Sequence, residues 1–182
     1  MPTMTLLPST CAVNTAGEWD GNGGETSTAG KVACVRINDG ATHFLQEGDD
    51  KDLINFRFED SLPVASGEVD SITSVQVKTY GSYPFRGSGG SDLTMQIDHF
   101  TGTLAEDAFN FPNIPAWYLR SGAVFTTNSS GGAISYAELQ GIGLILKKRN
   151  PSNALRVTYI AIEVIYVATA VADNAIFFGH NF

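Results

Sequence analysis

From Arg156 to Ala172 the chain reads RVTYIAIEVIYVATAVA, and Glu163 is the only charge after Arg156. A membrane-spanning helix needs about 20 predominantly apolar residues. This run is shorter, carries a carboxylate at its middle, and is rich in β-branched and aromatic residues, which favour strands. Read as a strand, it places Ile160, Ile162, Val164 and Tyr166 on one face. Val157, Tyr159, Ala161, Glu163, Ile165 and Val167 fall on the other. A sheet with one face in water alternates apolar with polar residues, and here only Glu163 breaks the second face. That face is therefore expected to be covered, by the chain's own arm or loops or by another subunit about a symmetry axis. Glu163 would then need a partner such as Arg156 or a neighbour's Arg or Lys.

The rest of the chain supplies shorter strand candidates between turn signals. KVACVRI precedes the turn tripeptide NDG, THFLQ precedes the acidic EGDDKD, and LINFRFE alternates Ile54, Phe56 and Phe58 against Asn55 and Arg57. SITSVQVKTY alternates with an irregular step between Ile72 and Val75, and DLTMQIDHF, GAVFTTN and LILKK follow. The stretch TGTLAEDAFNFPNIPAWYLRSG has no clean period and reads as loop with at most a helical turn. SYAELQGIG reads as a short helix or turn with Leu139 and Ile142 inward. About eight strands with almost no amphipathic helix predict an all-β sandwich. Residues 1–31 contain NTAGEWDGNGGETSTAGK, nearly free of aliphatic side chains, and read as an arm or linker with Trp19 as its aromatic anchor. The sandwich domain is expected over 32–168. A tail over 169–182 carries Phe177, Phe178 and Phe182, too aromatic to be left in water.

The formal net charge of -8 argues against a nucleic-acid partner, which requires a surplus of Lys and Arg. The charge is uneven: residues 1–110 hold six Lys/Arg against 16 Asp/Glu, and the remainder five against three. Cys11 and Cys34 form no disulfide framework and no CxxC or Cys/His cluster. Two free buried thiols are expected, with a Cys11–Cys34 bridge as the alternative in an oxidising compartment. The first residues, MPTMTLLPST, lack a basic n-region and a long apolar segment, so no secretory signal is expected.

No motif selects a reaction. Glu47, Asp49, Asp50 and Asp52, with Asp39 across the turn, have oxygen ligands for calcium but no EF-hand spacing, and a solvated acidic turn is the expected reading. His43, His99 and His180 are dispersed, GSGGSD lacks the Lys and helix of a phosphate loop, and no G-x-S-x-G elbow is present. Asn128-Ser129-Ser130 is a glycosylation sequon, relevant only in a secretory pathway. The expectation is a protein without catalytic residues, cofactor or metal. Trp19, Tyr80, Tyr83, Phe85, Trp117 and Tyr118 are placed in loops or arms, where aromatics serve as stacking platforms for sugar rings, plug the ends of a sandwich, or meet a neighbouring subunit.

The order VRINDGATHFLQ, INFRFEDSLP, VDSITSVQVKTYG, SYAELQGIGLILKK and RVTYIAIEVIY resembles jelly-roll-like virion proteins of tailed bacteriophages. Leu139, Gln140 and Gly141 are similar to the L-Q-x-G strand of that class but lack its intervening residue, and Arg156, Val157, Thr158, Glu163, Val164 and Tyr166 fit its terminal strand. The resemblance spans residues 32–167 and describes a fold rather than a site. It implies a jelly-roll-like antiparallel sandwich on a phage particle, foremost a capsid decoration (cement) protein on the outer surface of an assembled head. Its partners would be the major capsid protein or another virion protein, it would be a homo-oligomer with a trimer favoured, and it would involve neither nucleic acid nor membrane. Leu6, Leu7, Trp19, Glu163, Phe177, Phe178 and Phe182 are the expected partner-binding residues. The alternative is a carbohydrate-binding receptor module of a phage tail or fibre.

Overall fold

The computed structural model describes residues 1–13, 19–22, 24, 26–39, 42–47, 53–59, 61–82, 91–97, 107–111, 116–148 and 155–170. Among them the chain forms eleven strands: β1 (Thr3–Leu6), β2 (Pro8–Val13), β3 (Trp19–Gly21), β4 (Leu45–Glu47), β5 (Leu53–Phe58), β6 (Val69–Ser82), β7 (Ser91–Ile97), β8 (Asp107–Phe111), β9 (Trp117–Phe125), β10 (Gly143–Lys148) and β11 (Leu155–Ala168). Two short helices, α1 (Thr28–Ala33) and α2 (Tyr136–Leu139), and a 3-10 turn at Ser66–Glu68 complete it.

The strands make two antiparallel sheets. The larger has the order β3-β4-β11-β6-β9, with β1 also paired to β11; the smaller is β2-β5-β10-β7-β8. Consecutive strands switch sheet repeatedly, so the chain itself ties the two layers together. The fold is the all-β antiparallel sandwich expected from the alternating segments. Between the layers lie Ile54, Phe56 and Phe58 of β5, Leu144 and Leu146 of β10, Val75 and Val77 of β6, and Ile160, Ile162 and Val164 of β11, all buried. Each such side chain contributes about 1.5–3 kcal/mol on leaving water. The buried Thr79 hydroxyl finds a partner across the core in the Met95 thioether, 3.3 Å away.

The expected arm at 1–31 is corrected. β1 pairs with β11 in the larger sheet, β2 with β5 in the smaller, and β3 with β4. Met4 and Leu6 are buried, and Trp19 is 0 % exposed. The backbone hydrogen bonds of these ladders, together with the buried Met4, Leu6 and Trp19 side chains, hold the segment to the body. KVACVRI is also corrected: its first residues end α1, which Ser27 caps by accepting from the Gly30 N–H. This helix lies against β2 and β3, the edge strands of opposite sheets, with Val32, Cys34 and Val35 in the core. Cys11 and Cys34 are both buried and not bridged to each other, and burial pushes the Cys11 thiol up. The stretch read as loop contains β8 and most of β9.

The opening run is a strand as far as Ala168, but its faces differ from the simple alternation. A bulge lies at Thr158, between the pairs Val157–Gly81 and Tyr159–Tyr80. One extra residue reverses the parity, so Val157 joins Ile160 and Ile162 inside at 0 % exposure. A second bulge, at Thr73, explains the irregular step: Ile72 pairs with Tyr166 and Ser74 with Ile165, and both Ile72 and Val75 stay buried.

Two loops are fixed by single residues. The hydroxyl of Thr158, fully buried at its bulge, meets the Ile37 carbonyl at 3.3 Å, Asp39 Oδ1 at 3.2 Å and the His43 carbonyl. Asp39 also accepts from the His43 N–H at 3.1 Å and lies 2.6 Å from His43 Nδ1. That imidazole contact holds the Asp39 carboxyl below its ordinary value of 3.8, against a smaller opposing push from desolvation. A depressed native pKa stabilises the fold above the unfolded value and loses that contribution as pH falls through the native one. Thermal midpoints followed downward in pH should therefore show wild type above Asp39→Asn near neutrality, with the two converging in acid below the ordinary carboxylate range. A gap that stays constant with pH refutes this assignment.

Asn128 organises the loop after β9. Its Oδ1 accepts from the N–H groups of Ser130 (3.1 Å) and Gly132 (2.9 Å), and its Nδ2 donates to Glu138 Oε1 (3.1 Å) and the Ala133 carbonyl (3.4 Å). The sequon nitrogen is thus used inside the fold. Asn128→Ala is expected to cost about 1–3 kcal/mol in chemical unfolding, and a change within error contradicts the role.

Candidate functional site

The outer face of the larger sheet carries the half-buried aromatic and polar groups. Antiparallel pairs share a face, so the register lays out its rows. The first row is Asp20, Gln46, Arg156, Ser82 and Trp117, and the next is Tyr159, Tyr80 and Leu119. Ala161, Lys78 and Ser121 follow, then Thr5, Glu163, Gln76 and Val124. The centre is low, with Ala161 and Ser74 buried between taller side chains.

One end is aromatic. Tyr80 and Trp117 stack with ring centroids 5.8 Å apart and planes 19° apart, and Phe44 tilts onto Trp117 at 6.1 Å. Tyr80, Trp117 and Tyr159 are half-buried, and Leu119 is exposed. The guanidinium of Arg156 lies over Phe44, 4.5 Å from the ring centroid, and its Nε donates to Gln46 Oε1 at 2.8 Å. Burial, reinforced by the Glu163 charge, raises the Tyr159 phenol above its ordinary pKa and keeps it a neutral hydroxyl.

The other end is polar. Lys78 Nζ donates to Gln76 Oε1 at 2.7 Å and Ser121 Oγ at 3.0 Å, and lies 3.7 Å from Glu163 Oε1. A second bulged pair, between Gln76–Val124 and Lys78–Ser121, frees the Gly122 carbonyl to accept from Gln76 Nε2 at 2.7 Å. The side-chain exposures of 23 % for Lys78 and 37 % for Glu163 place this network at the surface.

The expected partner-binding residues scatter. Leu6 and Trp19 belong to the chain's own core, so neither has a face to offer. Leu7 is half-buried where the chain crosses between sheets. Glu163 is on the outer face with Lys78 as its partner, while Arg156 is engaged by Gln46 and Phe44. The second face of β11 is half open in the single chain rather than covered. Phe177, Phe178 and Phe182 lie outside the described residues, as do Tyr83, Phe85, His99, His180, Asp49, Asp50 and Asp52. Of the aromatics singled out from the sequence, the structure brings Tyr80 and Trp117 together on strands rather than in loops. Tyr118, one residue on, faces the other way, packs against the core and carries Arg120 above its ring.

Two clefts of about 590 Å³ lie elsewhere, one beside Ser9, Arg57 and Glu59, the other beside Val64, Glu68 and Tyr166. In the first, Arg57 donates to the Gly141 carbonyl and Glu59 pairs with Arg36. Among the described residues no three His, Cys, Asp or Glu side chains gather as metal ligands, and no helix is long and apolar enough to cross a membrane.

The sequence matches no family model and no curated protein. Similar solved structures include the C-terminal CBM6 of the laminarinase LamC from Zobellia galactanivorans, at 10 % identity and TM-score 0.47, covering 90 % of this chain and 98 % of that one. The CBM22-1 xylan-binding domain from Paenibacillus barcinonensis is similar at 14 % identity and TM-score 0.42, covering 89 % and 98 %. A family 35 carbohydrate-binding module from Clostridium thermocellum gives 8 % and 0.43, covering 92 % and 100 %. At TM-scores below 0.5 these likenesses carry no weight in assigning a ligand, and the fold assignment rests on the two sheets themselves.

Proposed function

We propose that this chain is a non-catalytic binding module that holds a saccharide against the outer face of its larger sheet. The observation that carries the reading is the stacked pair Tyr80–Trp117 beside the Lys78–Gln76–Ser121–Glu163 network on one open face. Sugar rings present apolar C–H faces that pack on aromatic rings. Their hydroxyls each donate and accept, which calls for donors and acceptors side by side. Lys78 supplies the first, Glu163 and Gln76 the second. An open face suits an extended chain better than a small metabolite, which pockets bury by 70–90 % of its surface.

Electrophoresis through gels containing soluble polysaccharides is the test. Retardation by at least one neutral or acidic polymer is expected, and unchanged mobility across a broad panel removes the reading.

A second reading is a virion-surface protein. It draws support from Leu119 and Val124, 53 % and 57 % exposed on the same face, where a neighbouring subunit would cover them. It predicts binding to assembled, undecorated shells and their stabilisation. A chain that neither sediments with shells nor stabilises them sinks this reading.

A further inference from the structure

We infer that the saccharide taken by this face is acidic, a pyranose bearing a carboxylate, and that Arg156 reads that group. The inference rests on the saccharide reading above. The guanidinium of Arg156 is held on two sides, by the Nε donation to Gln46 at 2.8 Å and by the Phe44 ring at 4.5 Å. Only one of its five N–H donors is used by these contacts, and among the described residues Nη1 and Nη2 have neither a hydrogen-bond partner nor an ion pair. An arginine fork fixed in advance with its two terminal nitrogens available is the geometry that grips a carboxylate bidentately, at little entropic cost.

Among the described residues no carboxylate on the face neutralises it. Asp20, two strands away in the same row, is turned to Lys31 at 3.7 Å, and Glu163, further along β11, is turned to Lys78. The fork also sits where a stacked sugar would need it. Arg156 and Trp117 occupy one row with the small Ser82 between them, two strand spacings or about 10 Å apart at the backbone. Phe44 touches both, so the stacking surface and the cation form one continuous patch. A pyranose on the aromatic slab places a ring-borne carboxylate toward Arg156.

Isothermal titration with polygalacturonate and with alginate, each against its fully esterified counterpart, tests this. The free acid of at least one polymer is expected to bind tenfold or more tightly than its ester. Arg156→Gln should abolish that preference. Arg156→Lys, which keeps the charge and loses the fork, should leave less than a tenth of the affinity for the acid. Both variants are expected to keep the wild-type circular dichroism spectrum and to retain binding of the ester, which separates lost recognition from lost folding. Equal binding of acid and ester, binding confined to neutral polymers, or an acid preference that survives in Arg156→Gln overturns the inference and leaves the saccharide reading standing. Failure to bind any polymer, acidic or neutral, overturns both.

Discussion

Trp19→Ala is expected to lower the thermal midpoint by ~6 to 20 °C, from a loss of about 3–5 kcal/mol for emptying a large core site and about 2–4 °C per kcal/mol at this chain length. Trp19 lies on β3, a three-residue edge strand whose pairing alone is weak, and its indole is fully buried in the core. The side chain fastens the strand, and the strand in turn brings Asp20 to Lys31 on α1. The experiment also decides between two roles for one residue. As a partner anchor on a loose arm, Trp19 would be expendable for folding, and the midpoint would not move. Differential scanning calorimetry of the purified variant gives the answer directly.

Trp117→Ala is expected to abolish detectable retention on whichever polysaccharide the wild type binds. Removing a central stacking side chain costs about 2 kcal/mol or more, ~30-fold in affinity. Trp117 is half-buried at the start of an edge strand, so folding should tolerate its loss far better than that of Trp19. Phe44 would lose its tilted neighbour, and Tyr80 its stacking partner, so the whole slab goes with one substitution. An unfolded variant would be told apart by its circular dichroism. A folded variant that binds as well as wild type would move the site away from this face.

What the sequence made legible was the core where strands are long and buried on one side. Ile54, Phe56 and Phe58 alternate cleanly because β5 has partners on both edges, β2 and β10. Leu139 and Ile142 point inward as expected, from a helix closed by the reciprocal Ser135–Glu138 box. The first thirty residues misled because their strands are short, and a ladder of backbone hydrogen bonds leaves no compositional trace. The helix α1 was hidden by the β-branched Val32 within it and Val35 just after it, though Ser27 ahead of it was a usable capping signal. β9 lacks a period because an edge strand with a bulge wets both of its faces in part. The candidate site was half visible. Tyr80 and Trp117 stood out as residue types, but their juxtaposition depends on cross-strand register, which alternation within either strand does not fix. Arg156 was placed opposite Glu163 in expectation, and the bulge at Thr158 cannot be read from alternation alone.

The central position of β11 has a consequence for how the protein is made. Within the larger sheet, β1, β4 and β6 all pair with a strand that begins at Leu155, so among the described residues only the β3–β4 and β6–β9 ladders of that sheet can close on a nascent chain before residues 155–168 emerge. Until then β6 presents fourteen residues of strand with Val75 and Val77 uncovered on one side and no partner for one edge. Unpaired edges with apolar faces are the places where emerging chains adhere to one another or engage holdase chaperones. The larger layer is therefore zipped from the middle outward by β11, the last of its described strands to be synthesised, and synthesis halted before Leu155 would release a chain with a sticky, half-built sheet.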